Sequence, residues 1–591
     1  MGRRYMGRGS EGGQPHLGEI VKQGLHVEYM RQTNELNAEV VKAFSQADGD
    51  RIRMLKGRRP IFTKDDYGEE RDVAGHDRLR YAKALLKARA ESIQKADPGM
   101  NTAIGYNFYD LRGPAYLLYP VNTPFRNSLP RIGRVNDGYG VAAHWKASKN
   151  FGTAYAGVFE GQRAPIATTD ENDYVATYKE IGVERGATFT SQFAGEGYTD
   201  NVADEHLRGL HEIWLQEEGL MLAGNSGNGT GNNGFKLGTT KTPVATGGIL
   251  GTLADNYYTL YCVAITALGQ PNNLQYGYNA PFTVAGGLVP VSTRTNADGS
   301  QQVVNGGTAA ISLASNTVQL NGGGNGSLVG TFSAANLALM RGAFWFAWFV
   351  DVEASNTTVK ASAVLAAITS LPTVTFLNNA GWGTQIATAA GLGTDYSFQP
   401  SDFDGLLTYA STSGLWTNMA GAKLTAVGNG RIAEIETDLQ SLWTLYQAQV
   451  DEIWCSVDAK VSISNVVLST TSGAFPAFRF EYTRDSQGNV MGGYVVDSYK
   501  SQFSMNASGG NALPLKIHPM MPPGTIYYHI KTNPYPHSRV PFVAGMLVQR
   551  DYYSIEWPLV SRQWTFGTYC HEVLAHTMPW ITVVRTGIGQ S

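Results

Sequence analysis

Residues 174–225 read YVATYKEIGVERGATFTSQFAGEGYTDNVADEHLRGLHEIWLQEEGLMLAGN, and this stretch decides the fold class. Its first part alternates apolar and polar residues as a half-buried strand does. Asp200 then stands as an N-cap, with Asp204 and Glu205 placed to meet the positive end of a helix dipole. Leu207, Leu210, Trp214 and Met221 recur on one helical face, and Gly224-Asn225 is a helix stop, so a helix is expected over 201–223. A long strand feeding a long helix, in a chain whose other segments are strand-like, makes the class α+β.

Upstream, 139–190 reads as a long two-stranded excursion, with HWKASKNFGTAYAGVFEG and DYVATYKEIGVERGATFT joined by the polar link APIATTDEN. Residues 101–138 are aromatic and punctuated by Pro114, Pro120, Pro124 and Pro130, which forbid a continuous helix and point to an extended arm. Residues 1–100 interleave charges of both signs, with helical patterns near 24–46 and 76–96. Nearby acidic groups nearly balance the basic run Arg51 to Arg59, so only nonspecific attraction to phosphates is expected there.

Downstream, 225–400 is a neutral block. Its only charges are Lys236, Lys241, Arg294, Arg341, Lys360, Asp255, Asp298, Asp351, Glu353 and Asp395. NYYTLYCVAITA from Asn256 and AFWFAWFVDVEA from Ala343 alternate aromatic and β-branched residues in register. With the Gly- and Asn-rich loops between them they point to a β-sandwich insertion over 240–400. After Ser401 a stripe of Ile432, Ile435, Leu439, Leu442, Trp443 and Tyr446 marks a helix, EIWCSV a strand, and Asp458 the cap of a second helix. Residues 478–501 read as a hairpin and the last eighty as Pro-rich strands.

The chain has 591 residues, enough for several folding units, and a net charge of -3, which argues against a dedicated nucleic-acid binder. Cys262, Cys455 and Cys570 are odd in number and far apart, implying neither a disulfide framework nor a zinc site. The basic N-terminus lacks the apolar stretch of a signal peptide, and the most apolar run, 343–350, is far short of the roughly 20 residues that span a bilayer. Gly229, Gly231 and Gly234 match dinucleotide-fingerprint spacing, but a helix precedes them where a strand is needed. His571, Glu572 and His576 sit in HEVLAH with the histidines five apart, where zinc chemistry needs four, on a segment alternating like a strand. The pairs Glu217-Glu218 and Asp65-Asp66 are expected on solvated surfaces. No catalytic, cofactor-binding or metal-binding residue is assigned, and an enzyme is not expected.

The order of these segments, together with 174–225, SDFDGLLTYA, LWTLYQAQVDEIWCSVDAKVSISNVV and VLAHTMPWITVV, resembles the major capsid proteins of tailed double-stranded-DNA bacteriophages, the Hong Kong 97 fold. The resemblance covers 101–235 and 401–591. It implies a charged helical extension at 1–100, an N-arm at 101–138 and an E-loop at 139–190. It further implies a peripheral domain at 191–239 and 511–591 with its spine helix at 201–223, an axial domain at 401–510, and an immunoglobulin-like insertion at 240–400. Such a protein self-assembles into pentamers and hexamers of an icosahedral head. Its expected partners are copies of itself, a portal, scaffolding or decoration proteins, and packaged DNA by nonspecific contact, with no membrane and no cofactor. Its expected place is the virion, after synthesis in the bacterial host cytoplasm. Some members cross-link a Lys of the E-loop, a region that here holds Lys146 and Lys149. Two other readings are an encapsulin-like nanocompartment, and an adhesin or carbohydrate-binding role in which Tyr257, Tyr258, Trp345 and Trp348 stack on sugars; strand alternation puts about half of these four inside, so a core role is expected of them.

Overall fold

The computed structural model describes residues 62–64, 70–72, 122–133, 140–150, 157–164, 166, 170–195, 200–227, 234–269, 291–296, 298–321, 326–356, 362–383, 392–428, 430–468, 496–501, 503, 512–537, 540–559 and 561–590. The expected helices near 24–46 and 76–96, the run 51–59, the pair Asp65-Asp66, Gly229, Gly231, the Lys149 side chain and most of the 478–501 hairpin lie outside them. Within 1–100 the described elements are two short antiparallel strands, Phe62–Lys64 and Glu70–Asp72, and not helix.

Contacts divide the chain into two units. The described part of the smaller includes 185–207 and 557–565. In it, Asp200 Oδ1 accepts from the amides of Val202 and Ala203 at 3.1 and 3.2 Å, the capping expected of it. Phe189 packs on Trp564 with ring centroids 3.9 Å apart.

The larger unit is a strand-rich α+β assembly. The long helix spans Asn201–Ala223, and its residues from 208 on belong to this unit. Ile213, Leu220 and Met221 are buried in one core with Ile181, Val183, Met546, Cys570 and Leu574. These last five come from three strands of a four-stranded sheet ordered Arg131–Ile132, Ala544–Glu556, Gln563–His576 and Lys179–Thr188. The apolar face is therefore set C-terminal to the expected stripe: Leu207 is exposed, and Glu217 and Glu218 are fully buried. The expectation that this acidic pair lies on a solvated surface is corrected.

A six-stranded sheet runs in the order Leu415–Asn418, Val583–Thr586, Ile526–His529, Glu452–Cys455, Ala512–Ile517 and Ser498–Lys500. Helices Ala433–Tyr446 and Val457–Leu468 contribute Ile435, Leu439, Leu442 and Ile463 to its core. Arg585 joins sheet to helix through two bonds to Asp438 at 2.6 and 2.8 Å. Ser456, and not Asp458, caps the second helix, its Oγ accepting from the Ala459 amide at 3.2 Å. The sheet takes strands from both sides of the expected 510/511 boundary, and the final strand Val583–Thr586 lies in it.

In the neutral block a four-stranded sheet (Val318–Gln319, Tyr257–Thr266, Ala343–Glu353, Val364–Thr369) and a three-stranded sheet (Val374–Phe376, Gly326–Thr331, Val244–Leu253) share a core. That core includes Leu260, Cys262, Leu328, Phe346, Trp348 and Phe376. The opposite face of the two central strands, with Tyr261, Val263, Ile265, Trp345, Ala347 and Phe349, is buried in the core that also holds the long helix. The core role expected of these aromatic residues holds, and burial goes further than the half that alternation predicts: Tyr258, Trp345 and Trp348 are all buried.

The block is fastened at both ends. The Asn225 side chain donates to Phe235 O and Ser397 O at 2.9 and 3.0 Å and accepts from the Phe235 amide, so the departing and returning segments meet at one residue. Gly405 packs backbone to backbone against the end of the long helix. A Cβ there would meet Leu220 O at 2.6 Å, which is why only glycine fits.

Candidate assembly elements: a buried arm anchor and a projecting hairpin

The described arm begins as a short helix, Pro124–Ser128. Pro124 occupies the first helical position, where a missing N–H costs nothing, so here proline starts a helix within a segment expected to be extended. The helix has no side-chain N-cap of its own. Glu218 of the long helix supplies one from a distance, accepting the Phe125 amide at 2.7 Å and the Arg126 amide at 2.8 Å. His518 fixes the same carboxylate at 2.7 Å through Nε2. Its Nδ1 accepts from the Met520 amide at 3.1 Å, so the proton of the neutral ring belongs on Nε2 and points at Glu218.

Phe125 completes the anchor. It is fully buried, its ring 4.6 Å from His518 and 4.7 Å from Trp454, with Tyr527 and His529 at about 6 Å. An arm side chain is thereby seated against strands of the six-stranded sheet.

Beside it lies a buried ionic cluster. Glu217 accepts from Arg126 Nε at 3.1 Å, from Arg131 and from the Tyr552 hydroxyl. Arg131 Nη2 also lies 3.0 Å from Glu572 and 3.4 Å from Asp551. Arg126 stacks over Trp214 at 4.5 Å. Glu217 and Glu572 are both wholly buried and share the Arg131 guanidinium, while Arg126 reaches Glu217 alone. Burial, and then the neighbouring Glu217 charge, push the Glu572 carboxyl up to about 8. Burial lowers the proton affinity of Arg131, but Glu217 and Glu572 outweigh this and hold it above its ordinary value.

The second element is a hairpin. Ala142–Asn150 pairs antiparallel with Asp170–Thr177 and forms a two-stranded sheet of its own. One face packs inward, with Trp145 stacked on Tyr174 at 5.9 Å and Tyr174 on Trp580 at 6.2 Å. The other carries Lys146 and Asp173, 3.7 Å apart and exposed. The described part of the connection, 157–164 and 166, is solvent-facing, with Phe159 82% and Ile166 93% exposed.

His571, Glu572 and His576 lie on the strand Gln563–His576. His571 contacts Tyr553 Oη at 2.9 Å on one face, while Glu572 and His576 point into the core. Burial, then His529, lowers His576 to about 3; His529 itself is lowered to about 4, by burial. Among the described residues no group of three or more His, Cys, Asp or Glu is placed to hold a metal, and no helix is long and apolar enough to cross a membrane. The three cysteines are free and buried. Burial pushes the Cys455 thiol up to about 12.

Sequence reading missed Arg126, Arg131, Glu218, His518 and Tyr552 as one cluster. A signal existed for the acidic pair. Stepping by three and four from Leu207 through Leu210 and Trp214 reaches residue 217 before Met221, so Glu217 falls on the apolar stripe itself.

Solved structures similar to the chain include the capsid of a native GTA particle computed with C5 symmetry, at 8% identity and TM-score 0.34, covering 84% of this chain and 98% of that one. A structure from Mycobacterium phage Adephagia is similar at 5% identity and TM-score 0.33, covering 84% and 97%. The Cyanophage A-1(L) capsid asymmetric unit is similar at 11% identity and TM-score 0.33, covering 81% and 97%. No family model matches the chain, and no curated protein matches it in sequence.

Proposed function

We propose that this chain is a shell subunit: the major capsid protein of a tailed double-stranded-DNA phage with the Hong Kong 97 fold, structural and not catalytic. The observation that carries the reading is the hairpin of Ala142–Asn150 and Asp170–Thr177, which among the described residues belongs to no larger sheet and whose described connecting residues Val158, Phe159 and Ile166 are exposed. The ribbon packs one face on its own chain, but its open edges and exposed connection are places where a neighbouring chain could pair or pack. Shell subunits need large obligate contacts, on the order of 2,000 Å² or more, and projecting ribbons and arms supply such area.

In this reading the hairpin is the E-loop and 101–138 the N-arm. The long helix and four-stranded sheet make the peripheral domain, the six-stranded sheet the axial domain, and the two-sheet block an immunoglobulin-like insertion on the outer surface. Copies of the chain form pentamers and hexamers, with a portal and scaffolding or decoration proteins as further partners. Packaged DNA is touched nonspecifically.

The test is sedimentation of the full chain beside one in which 151–169 is replaced by a two-residue turn. The full chain is expected as capsomers or shells and the shortened one as folded monomers. Two identical monomeric profiles would overturn the reading. Nuclease-protected duplex DNA inside the particles distinguishes a virus head from a protein compartment holding enzymes.

A further inference from the structure

One face of the four-stranded sheet lies in the core with the long helix, and the opposite face carries a row of aromatic rings among carboxylates. Along Lys179–Thr188 the core takes Ile181 and Val183, so Glu180, Gly182 and Glu184 stand on the opposite face. Along Gln563–His576 the core takes Cys570, and Tyr569 and His571 flank it on the opposite face. In the adjoining strand Arg550 pairs with His571 and Tyr553 with Tyr569, which puts both on that face as well. All six of these side chains, from Glu180 and Glu184 to Arg550, are half-buried or exposed.

The rings lie low on the sheet. A Cβ at Gly182 or at Gly567 would collide with the Tyr569 ring, so that ring occupies the space that side chains at both positions would fill. Tyr553 lies beside Tyr569, and His571 beside Tyr553, with centroids 5.8 Å apart at each step and planes 28° and 30° apart. Carboxylates hold the hydroxyls: Glu184 accepts from Tyr569 at 2.6 Å and Glu180 from Tyr553 at 3.2 Å.

The face itself displays the kind of group that it binds. The Arg550 guanidinium sits 3.7 Å from the centre of the Tyr553 ring, a cation–π pair. Tyr569 offers the same ring with the same carboxylate bonding, and among the described residues no cation lies over it. Two carboxylates, Glu180 and Glu184, face the one guanidinium of Arg550, so a further cation is favoured here and a phosphate is not. Of the two cationic side chains, arginine fits better. Its planar group stacks on a ring and meets a carboxylate with two N–H donors, whereas an ammonium is a strongly hydrated point charge.

We propose that this face receives an arginine side chain presented by a partner protein, with the guanidinium stacked on Tyr569 and paired to Glu184. The site belongs to the single chain and does not depend on the shell-subunit reading.

Calorimetric titration of the full-length chain with a capped hexapeptide alternating arginine and serine tests this, beside the same peptide with lysine in place of arginine. The arginine peptide is expected to bind about threefold tighter or more. Tyr569→Leu, which removes the ring and keeps every charge, should weaken it about threefold to tenfold. Glu184→Gln, which keeps an acceptor for the Tyr569 hydroxyl, should weaken it about twofold to fivefold. Glu160→Gln, which removes an equal charge from an exposed position elsewhere, should leave it unchanged. Thermal unfolding checks that each variant is folded, and if Tyr569→Leu is not, Glu184→Gln decides. Equal affinity for the two peptides, unchanged binding in Glu184→Gln, or no binding at all would overturn the inference. Binding by dissociated chains that disappears in assembled particles would also overturn it, because a neighbouring copy would then be what covers the face.

Discussion

Glu218 ties three parts of the molecule with one carboxylate: the arm helix through two amides, the long helix that bears it, and His518. Changing Glu218→Ala leaves two amides and an imidazole N–H buried without an acceptor, and is expected to cost about 3–5 kcal/mol in urea unfolding. Glu218→Gln, which keeps an acceptor, should cost clearly less. Glu572 makes a pH prediction. Its proton affinity in the folded chain is raised from an ordinary value of 4.5 to about 8. Its contribution to stability is therefore full below pH 4.5 and is lost as pH rises through about 8. Glu572→Gln, neutral at every pH, should show a shallower loss of stability between pH 6 and 9 than the parent, and parallel profiles would contradict the assignment. The opposite sign holds for His529 and His576, lowered from 6.5 to about 4 and about 3. They favour the fold above pH 6.5 and oppose it progressively as pH falls. In an NMR titration neither ring should change between pH 8 and 5; a transition near 6.5 would refute their burial as neutral groups. At this scale the sequence was least legible. Glu217 lay on its helix's apolar stripe, but Arg131 and Tyr552, its partners, are 86 and 335 positions away, and no local pattern announces a contact made across the fold.

Elements were far more legible, because their signals are local. The helix Asn201–Ala223 has its cap, periodicity and stop in 26 consecutive residues, 200–225. The strand Glu452–Cys455 and its flanking helices followed from periodicity alone, although two competing caps, Ser456 and Asp458, sat two residues apart and Asp458 was the wrong choice. What misled was burial on both sides. Nine consecutive residues of Ala343–Glu353 are buried, since one face serves the two-sheet core and the other the core of the long helix. Such a strand loses the alternation that a one-sided sheet shows. The fastening of this block makes a prediction. Gly405→Ala would bring a methyl within 2.8 Å of backbone atoms of Leu220, Leu222 and Ala223, and is expected to destabilise by about 1–3 kcal/mol as overpacking does. Gly393→Ala, with nothing within 4 Å, should be neutral. Thermal unfolding of the two variants checks the contrast.

At the scale of the whole molecule, sheet membership does not follow the linear order of segments. The six-stranded sheet gathers strands from 415 to 586, so a division of the chain at 510 cuts through it. Sheets built from distant segments erase linear boundaries, and the same long-range closure buries the arm's Phe125 among Trp454, His518 and Tyr527. A short helix locked to its own chain through Glu218, and a hairpin whose described connecting residues Val158, Phe159 and Ile166 are exposed, are the two features on which the shell-subunit proposal rests. Completion by identical neighbours is the central claim. Electron microscopy of the purified full-length protein tests it most directly: rings of five or six subunits, or closed shells, are the expected result, and a protein that remains monomeric at high concentration would contradict it.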